Sequence, residues 1–357
     1  MANKIKVGVW GLGRAGNCMH AKEIGMYPEM FDLVAACDID PERCKLYEAK
    51  VPGVRTYTDG DAFLQDQEVE LVSVAVRSPD HVKYCIRALE AGKIVFAEKP
   101  VAISDEGCDR LLEAAKRFPG KLFCRQNRRF EACFNHIREI MASGILGEVY
   151  EIKLARHSFS FRNDWQTIID CGGGQLNNWG PHLIDHGLRL LDSPLKDLWS
   201  DLKRVTALGD AEDHLKIIMR GENGRVIDIE ISGGVALGSP VYAVYGTRGS
   251  LISPDEQDIQ LKYLHPDFKE PAEKSKPGTP ALDSGFGGEY KPRFVRKTIM
   301  VEPANGATIN DIYKHLYLAI REGVPFPVKL EEAIEVVRVT NEVKRQNPRF
   351  APCPDNK

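Results

Sequence analysis

The chain contains no run of apolar residues near the ~18 that a membrane-spanning helix needs. It lacks a dominant charge as well: 48 Lys and Arg against 51 Asp and Glu leave a formal net charge of -3. A nucleic-acid binder needs a dense basic face and a peripheral membrane protein a polybasic one, so both partner classes are excluded. Nine cysteines are present, at 18, 37, 44, 85, 108, 124, 133, 171 and 353, but no pair has Cys-x-x-Cys spacing and the number is odd. That argues against a structural zinc or iron–sulfur site and predicts free, mostly buried thiols in a reducing cytosol. Glycines break the first apolar stretch before it reaches the length of a signal sequence, so the expected location is cytoplasmic. Internal repeats and low-complexity tracts are absent too. What is present is an ordinary globular mixture, 43% hydrophobic and 28% charged over 357 residues, a length that favours two domains.

The first third alternates short apolar runs with helix-like segments. Ile5–Trp10, Asp32–Cys37, Leu71–Val76 and Lys93–Ala97 are continuous runs without polar alternation, as in strands buried on both faces of a parallel sheet. Helical segments lie between them, such as His81–Ala91 closed by Gly92, which gives stacked βαβ units. Beyond about Cys124 the period changes. Ile227, Ile229 and Ile231 alternate with Asp228, Glu230 and Ser232, and Ile259, Leu261 and Tyr263 with Gln260 and Lys262. Such alternation marks antiparallel strands with one wet face. The expected organisation is α/β: residues 1–124 form a dinucleotide-binding domain. Residues 125–357 form an α+β domain with a large, mostly antiparallel open sheet. An open sheet often finds a partner surface, so an oligomer is expected. His265–Pro292, rich in Pro, Lys, Gly and Asp, reads as a long irregular loop: a surface excursion, a flap or an arm.

Gly11-Leu12-Gly13-Arg14-Ala15-Gly16 directly follows the first strand and opens a helix. In such a motif Gly11 permits the tight turn, Gly13 lets the backbone approach a pyrophosphate, and Gly16 lets the helix pack on the strand. The free N–H groups of the helix start then meet the phosphates. A second buried run ends in Asp38, 22 residues after Gly16, placed to accept hydrogen bonds from a ribose and to repel a 2′-phosphate. NAD is therefore favoured over NADP, although Arg43 nearby works the other way. Glu98-Lys99-Pro100 ends the fourth run, at the carboxyl edge where ligands sit in an open α/β sheet. Spacing alone leaves Lys99 equally readable as a surface lysine before a turn. His182, Asp185, His186 and Arg189 recur three and four apart on a helix that starts near Pro181, so they share one face. That face is either a solvated, ion-paired one or a site. Arg162, Trp165 and Gln166 precede a Gly172-Gly173-Gly174 stretch and suit a sugar ring, or ordinary packing. His157, at a strand end, is a further substrate candidate.

These motifs together resemble the Gfo/Idh/MocA oxidoreductase family, which includes glucose–fructose oxidoreductase and inositol dehydrogenase. The similarity spans nearly the whole chain. It rests on Gly11 to Gly16 with His20, Asp38-Ile39-Asp40-Pro41, Ser78-Pro79-Asp80, Ala91 to Glu98-Lys99-Pro100, and Asn127-Arg128-Arg129-Phe130. It continues through Ser143 to Val149, the Gly172 stretch with His182 and Asp185, Tyr245 to Ser250, and Gly323 to Pro327. The resemblance implies a Rossmann domain, oxidation or reduction of a sugar or polyol hydroxyl, and a homodimer or homotetramer. Carried over by position, Lys99 is the site lysine and His182 the general acid/base. Leu12, Arg14, Ala15, Ile39, Ser78, Pro79, His81, Glu98 and Asn127 join the dinucleotide site, and Asn178, Asp185 and His186 the substrate site; no metal is implied. Two positions depart from the family pattern. Asn178 stands where many members have an aspartate, and an amide cannot take a proton. Lys83 stands where many have a histidine.

On this reading neutral His182 takes the alcohol proton while Lys99, as a cation, holds the same oxygen. Three alternatives stay open: an enzyme that retains NAD and cleaves glycosides or makes 3-keto sugars by transient oxidation, a non-catalytic nucleotide sensor, and a zinc site built from His182, Asp185 and His186.

Overall fold

A computed structural model describes residues 4–272, 277–278, 291–302 and 308–350. Most of the proline- and lysine-rich stretch read above as a loop lies outside the described residues. The first six strands are β1 (Ile5–Trp10), β2 (Phe31–Cys37), β3 (Arg55–Tyr57), β4 (Leu71–Val74), β5 (Ile94–Ala97) and β6 (Leu122–Cys124). They form one sheet in the order β3-β2-β1-β4-β5-β6, every pair parallel. The apolar runs are buried as a parallel sheet requires: β4 is buried at all four positions and β1 at all but Lys6. The chain leaves β1 toward β2 on one side and reaches β4 on the other. This reversal opens a crevice at the carboxyl ends of β1 and β4.

The second sheet holds β7 (Val149–His157), β8 (Leu195–Lys203), β9 (His214–Gly221), β10 (Val226–Ser232), β11 (Tyr242–Gly246), β12 (Gly249–Ser253), β13 (Asp258–Leu264) and β14 (Phe294–Met300). Their order is β14-β13-β12-β11-β7-β10-β9-β8. Only the central β7–β10 pair is parallel. The period-two pattern has its expected consequence. Ile227, Ile229 and Ile231 are buried on one face, while Asp228 and Glu230 on the other share Lys216. Helix Gly180–Leu191 lies on the apolar face, where Gly187 lets it pack close: a Cβ there would lie 2.7 Å from the end of the Met219 side chain.

The C-terminal helices tie the two sheets together. In helix Leu330–Gln346, Val336, Val339 and Val343 belong to the core of the second sheet, while Ala333, Ile334 and Val337 belong to the core of the first. Helix Ile312–Glu322 packs Ile312, Tyr313 and Leu316 wholly against the first sheet. Residues far beyond 124 thus help build the half that carries the first sheet. Of the eight cysteines among the described residues, six are buried, Cys18 is exposed and Cys171 is half-buried, all as free thiols.

Candidate active site

A cleft of about 880 Å³ runs from the Gly11–Ala15 turn, past the ends of the first-sheet strands, to the start of helix Gly180–Leu191. Its volume is near the upper end of the roughly 300–1,000 Å³ usual for small-molecule sites. Two glycines of this turn are dictated by the backbone. Gly11 has φ +99°, and a Cβ there would lie 2.6 Å from the Ala75 carbonyl oxygen; one on Gly16 would lie 1.9 Å from that of Gly11. Gly13 differs: a Cβ would meet only Arg43 Nη1, at 4.0 Å, so its backbone faces open space. The following helix begins as a wide turn, Ala15–His20, a distortion common at functional sites.

Asp38 is buried at the end of β2. Its Oδ2 accepts the Leu12 N–H at 2.7 Å and its Oδ1 the Asp40 N–H at 3.0 Å, while Arg43 Nη1 stands 3.6 Å from Oδ2. Leu12 therefore acts through its backbone and does not line the cleft. Pro79 does not line it either; its ring abuts Gly172, where a Cβ would lie 3.1 Å away. Arg14, Ala15, Ile39, Arg43, Ser78, His81 and Asn127 all line the cleft. The His81 ring spans two carbonyl oxygens, Pro100 at 2.6 Å and Val76 at 3.0 Å, and clamps the loop after β4 to the loop after β5.

Lys99 follows β5 and is held from behind. Glu98 Oε2 accepts the Lys99 backbone N–H at 2.9 Å. Its Oε1 meets His20 Nε2 at 3.1 Å and Arg125 Nη1 at 2.9 Å. Arg125 reaches on to Glu23, and His20 Nδ1 meets the Tyr313 hydroxyl at 2.6 Å, itself 2.9 Å from Ser73 Oγ. Burial would raise the Glu98 carboxyl, but Arg125, His20 and Lys99 outweigh it and hold the group far below the usual carboxylate range. Lys99 Nζ itself has no carboxylate partner among the described residues and donates to the Asn178 carbonyl at 2.8 Å. Burial pushes its ammonium down to about 8; Glu98 opposes that, and Arg125, Arg128 and Arg14 add to it.

The carbonyl that holds Lys99 lies four residues before His182, so the two candidate groups share one cleft wall. His182 is 8% exposed, edge-on to Trp179 with ring centroids 5.9 Å apart. Burial first, then Lys99, Arg128, His186 and Arg125, hold its imidazole well below the ordinary value of 6.5. Its Nδ1 is buried with no hydrogen-bond partner among the described residues. Beside it, Arg162 contacts Gln166, and Gln166 Nε2 donates to Asn178 Oδ1 at 3.3 Å; Arg162, Trp165, Gln166 and Asn178 all line the cleft. The three glycines above this wall are needed for closeness: Gly172 and Gly174 have φ +74° and +100°, and a Cβ on Gly174 would collide with the Glu212 carboxylate at 2.2 Å.

Three predicted substrate residues, Asp185, His186 and His157, do not reach the cleft. Asp185 is buried and gripped by Arg129, at 2.7 and 2.6 Å, and Arg129 also contacts Glu332. His186 stacks on Phe134, centroids 3.9 Å apart, with its ring nitrogens at the Tyr242 hydroxyl and the Arg128 carbonyl. Arg189 turns to Glu332 and Glu335. The shared helix face is therefore neither a solvated face nor a ligand cluster. His182 opens on the cleft, and the other three bolt the helix to its neighbours. That removes the zinc alternative, and among the described residues no three His, Cys, Asp or Glu side chains group as metal ligands. His157 lies on the second sheet, where it meets Glu230 at 3.1 Å and accepts the Ser239 N–H. Sequence reasoning passed over Trp10, Arg77, Tyr84, Arg128, Asn177 and Trp179, all of which line the cleft. Arg128, Asn177 and Trp179 fall inside motifs already noted; only their neighbours were singled out.

Comparison with known proteins agrees with this architecture. Residues 5–124 match the model of the oxidoreductase family with an NAD-binding Rossmann fold, and residues 134–252 that of the GFO/IDH/MocA C-terminal domain. An inositol 2-dehydrogenase of Acidothermus cellulolyticus is 28% identical over 260 residues, 71% of this chain and 74% of its own length. A scyllo-inositol 2-dehydrogenase (NADP(+)) of Bacillus subtilis is 25% identical over 94% of this chain and 91% of its own. Among solved structures, an NAD-binding protein from Listeria innocua superimposes with a TM-score of 0.80 at 24% identity, covering 98% of this chain and 96% of that one. Two sheets in this order, a glycine turn at the reversal point and family models over both halves lead to one conclusion: the chain belongs to the GFO/IDH/MocA family of oxidoreductases.

Proposed function

We propose that the protein is an NAD-dependent dehydrogenase that oxidises a secondary hydroxyl of a sugar, polyol or sugar derivative, with Lys99 and His182 as its catalytic residues. The observation that carries this reading is the bond from Lys99 Nζ to the Asn178 carbonyl, one helical turn before His182. It brings an ammonium and an imidazole from distant parts of the chain to one wall.

The residues present fit a dinucleotide. The open space over Gly13 would admit a pyrophosphate that a side chain would exclude. Asp38 keeps acceptor capacity on both oxygens for ribose hydroxyls. Arg43 leans on Asp38 and Asp40, which leaves the pocket edge acidic and favours NAD over NADP. The nicotinamide of a bound dinucleotide would supply the hydride acceptor.

The chain's own residues handle the proton and the charge. Lys99, held by Glu98 and the Asn178 carbonyl, donates to the substrate oxygen and stabilises its developing negative charge. His182 is neutral at pH 7, because burial and nearby cations disfavour its charged form. Its Nδ1 is enclosed, so Nε2 is the atom that takes the hydroxyl proton. Asn178, fixed through Gln166 and Arg162, orients the substrate without exchanging a proton. Trp165 and Trp179 line the cleft at this end and limit water there. We also infer a homodimer or homotetramer, because one face of the second sheet carries no covering helix among the described residues. Replacing His182 by Ala tests the assignment. Turnover should fall ~100-fold or more while dinucleotide affinity, measured by titration, persists. Unchanged turnover removes His182 from the mechanism.

A further inference from the structure

The charges at the substrate end of the cleft are arranged unevenly. Lys99, Arg125, Arg128 and Arg162 line it, and the carboxylates that line it there, Glu98 and Asp164, are engaged. Glu98 is held by His20 and Arg125, and Asp164 accepts Arg162 Nε and Nη2 at about 3 Å. Asn178, which lines the same wall as His182, carries no charge. Arg128 is less committed than Arg125 or Arg162. Its Nη1 contacts Glu131, which stands behind the cleft wall, while its Nε and Nη2 have no protein partner among the described residues. The guanidinium lies over the Trp179 ring, 4.1 Å from its centroid. The same ring carries His182 on its edge. Arg128 is thus stacked one aromatic width from the imidazole, with part of its donor fork open.

We infer that the substrate of this site is a sugar or polyol that bears a single carboxylate, held by Arg128 while Lys99 and His182 act on a hydroxyl of the same molecule. The inference rests on the dehydrogenase reading above and names its substrate class. A neutral polyol would leave the open donors of Arg128 facing apolar or hydroxyl groups in a partly desolvated site, which wastes charge-assisted hydrogen bonds. A carboxylate matches the planar fork and neutralises one charge. A phosphate dianion is better matched by two cations than by the one open fork of Arg128. The field points the same way, since every leading electrostatic influence on His182 comes from a cationic or imidazole neighbour.

The test compares substrates that differ at one carbon: gluconate with glucitol, glucuronate with glucose, and glucose 6-phosphate as the phosphate arm, each assayed for NAD reduction by the purified enzyme. The carboxylate member of each pair should have the higher kcat/KM by about 10- to 100-fold, the range of one charge-assisted contact. Added salt should narrow the gap. Arg128→Gln should collapse the ratio toward one, mainly by raising KM for the acid, and Arg128→Lys should restore part of it. Equal or better use of the neutral members, or a ratio unmoved by Arg128→Gln, overturns the inference and leaves the dehydrogenase reading standing. Preference for the phosphate overturns the carboxylate assignment. Turnover of neither class overturns both. If Arg128→Gln does not fold, the wild-type ratios and their salt dependence decide.

Discussion

The exchange Lys99→Arg separates charge from titration at the centre of the proposed mechanism. In the native protein the Lys99 ammonium is pushed from 10.5 down to about 8. If the cation must hold the substrate oxygen, kcat/KM for oxidation is level below that value and falls about tenfold for each further pH step. At about pH 9.5 the native enzyme should work roughly 30-fold below its plateau. Arginine stays charged throughout, so the variant should show no alkaline limb. Its plateau should be lower, by about 10- to 100-fold, because a planar guanidinium cannot reproduce the single 2.8 Å bond to the Asn178 carbonyl. The acid side carries a second signature. His182 lies well below 6.5, so the native profile should stay flat through the usual histidine range. Initial rates between about pH 6 and about pH 10, read from the absorbance of the reduced dinucleotide, give both limbs. A native rate that climbs through pH 8 would refute the reasoning, since Lys99 would then act as a neutral amine. An identical alkaline limb in both proteins would assign it to another group.

Asp38→Ala removes the acceptor of the Leu12 N–H and the negative edge of the pocket; NAD affinity should drop by about 10-fold or more and NADP affinity should change less or improve, as titration of each dinucleotide would show. Stability should fall in acid. Burial holds His186 down to about 3 and lowers His81 and His182 as well. Below about 6.5 the unfolded chain therefore binds protons that the folded one does not, and stability present above that value is lost as pH falls toward 3. Each such histidine contributes a slope of up to ~1.4 kcal/mol per pH unit. Urea midpoints should drop between about pH 6.5 and about pH 5, and His186→Phe, which keeps the stack on Phe134, should flatten the drop; midpoints that do not move would refute this.

Much of the frame was legible because burial writes its period into the chain. Unbroken Val and Ile runs gave the parallel sheet, and the strict alternation at Ile227–Ile231 gave the open one. Strands β3 and β6 escaped notice, being three residues each with partly exposed side chains. The glycine turn and Asp38 were readable because a dinucleotide motif is local. The errors share a cause. A helical period shows that His182, Asp185, His186 and Arg189 lie on one face, but not what that face meets, and Arg129, Phe134 and Glu332 come from elsewhere. His157 was misplaced for the same reason: its strand is central and its partner, Glu230, lies on a neighbouring one. The route from Ser73 through Tyr313 to His20 spans almost the full chain, and no local pattern announces it.

That route governs how the protein can be taken apart. Tyr313 completes the polar string that fixes Glu98, and Ile312 and Leu316 seal the same sheet. A gene fragment ending at residue 124 would strip the hydroxyl from His20 and uncover the underside of β1 and β4. Grafting the nucleotide half onto a relative would therefore demand that the stretch from Ile309 to Val337 travel with it; otherwise the transplanted lysine would sit on an unbraced strand end.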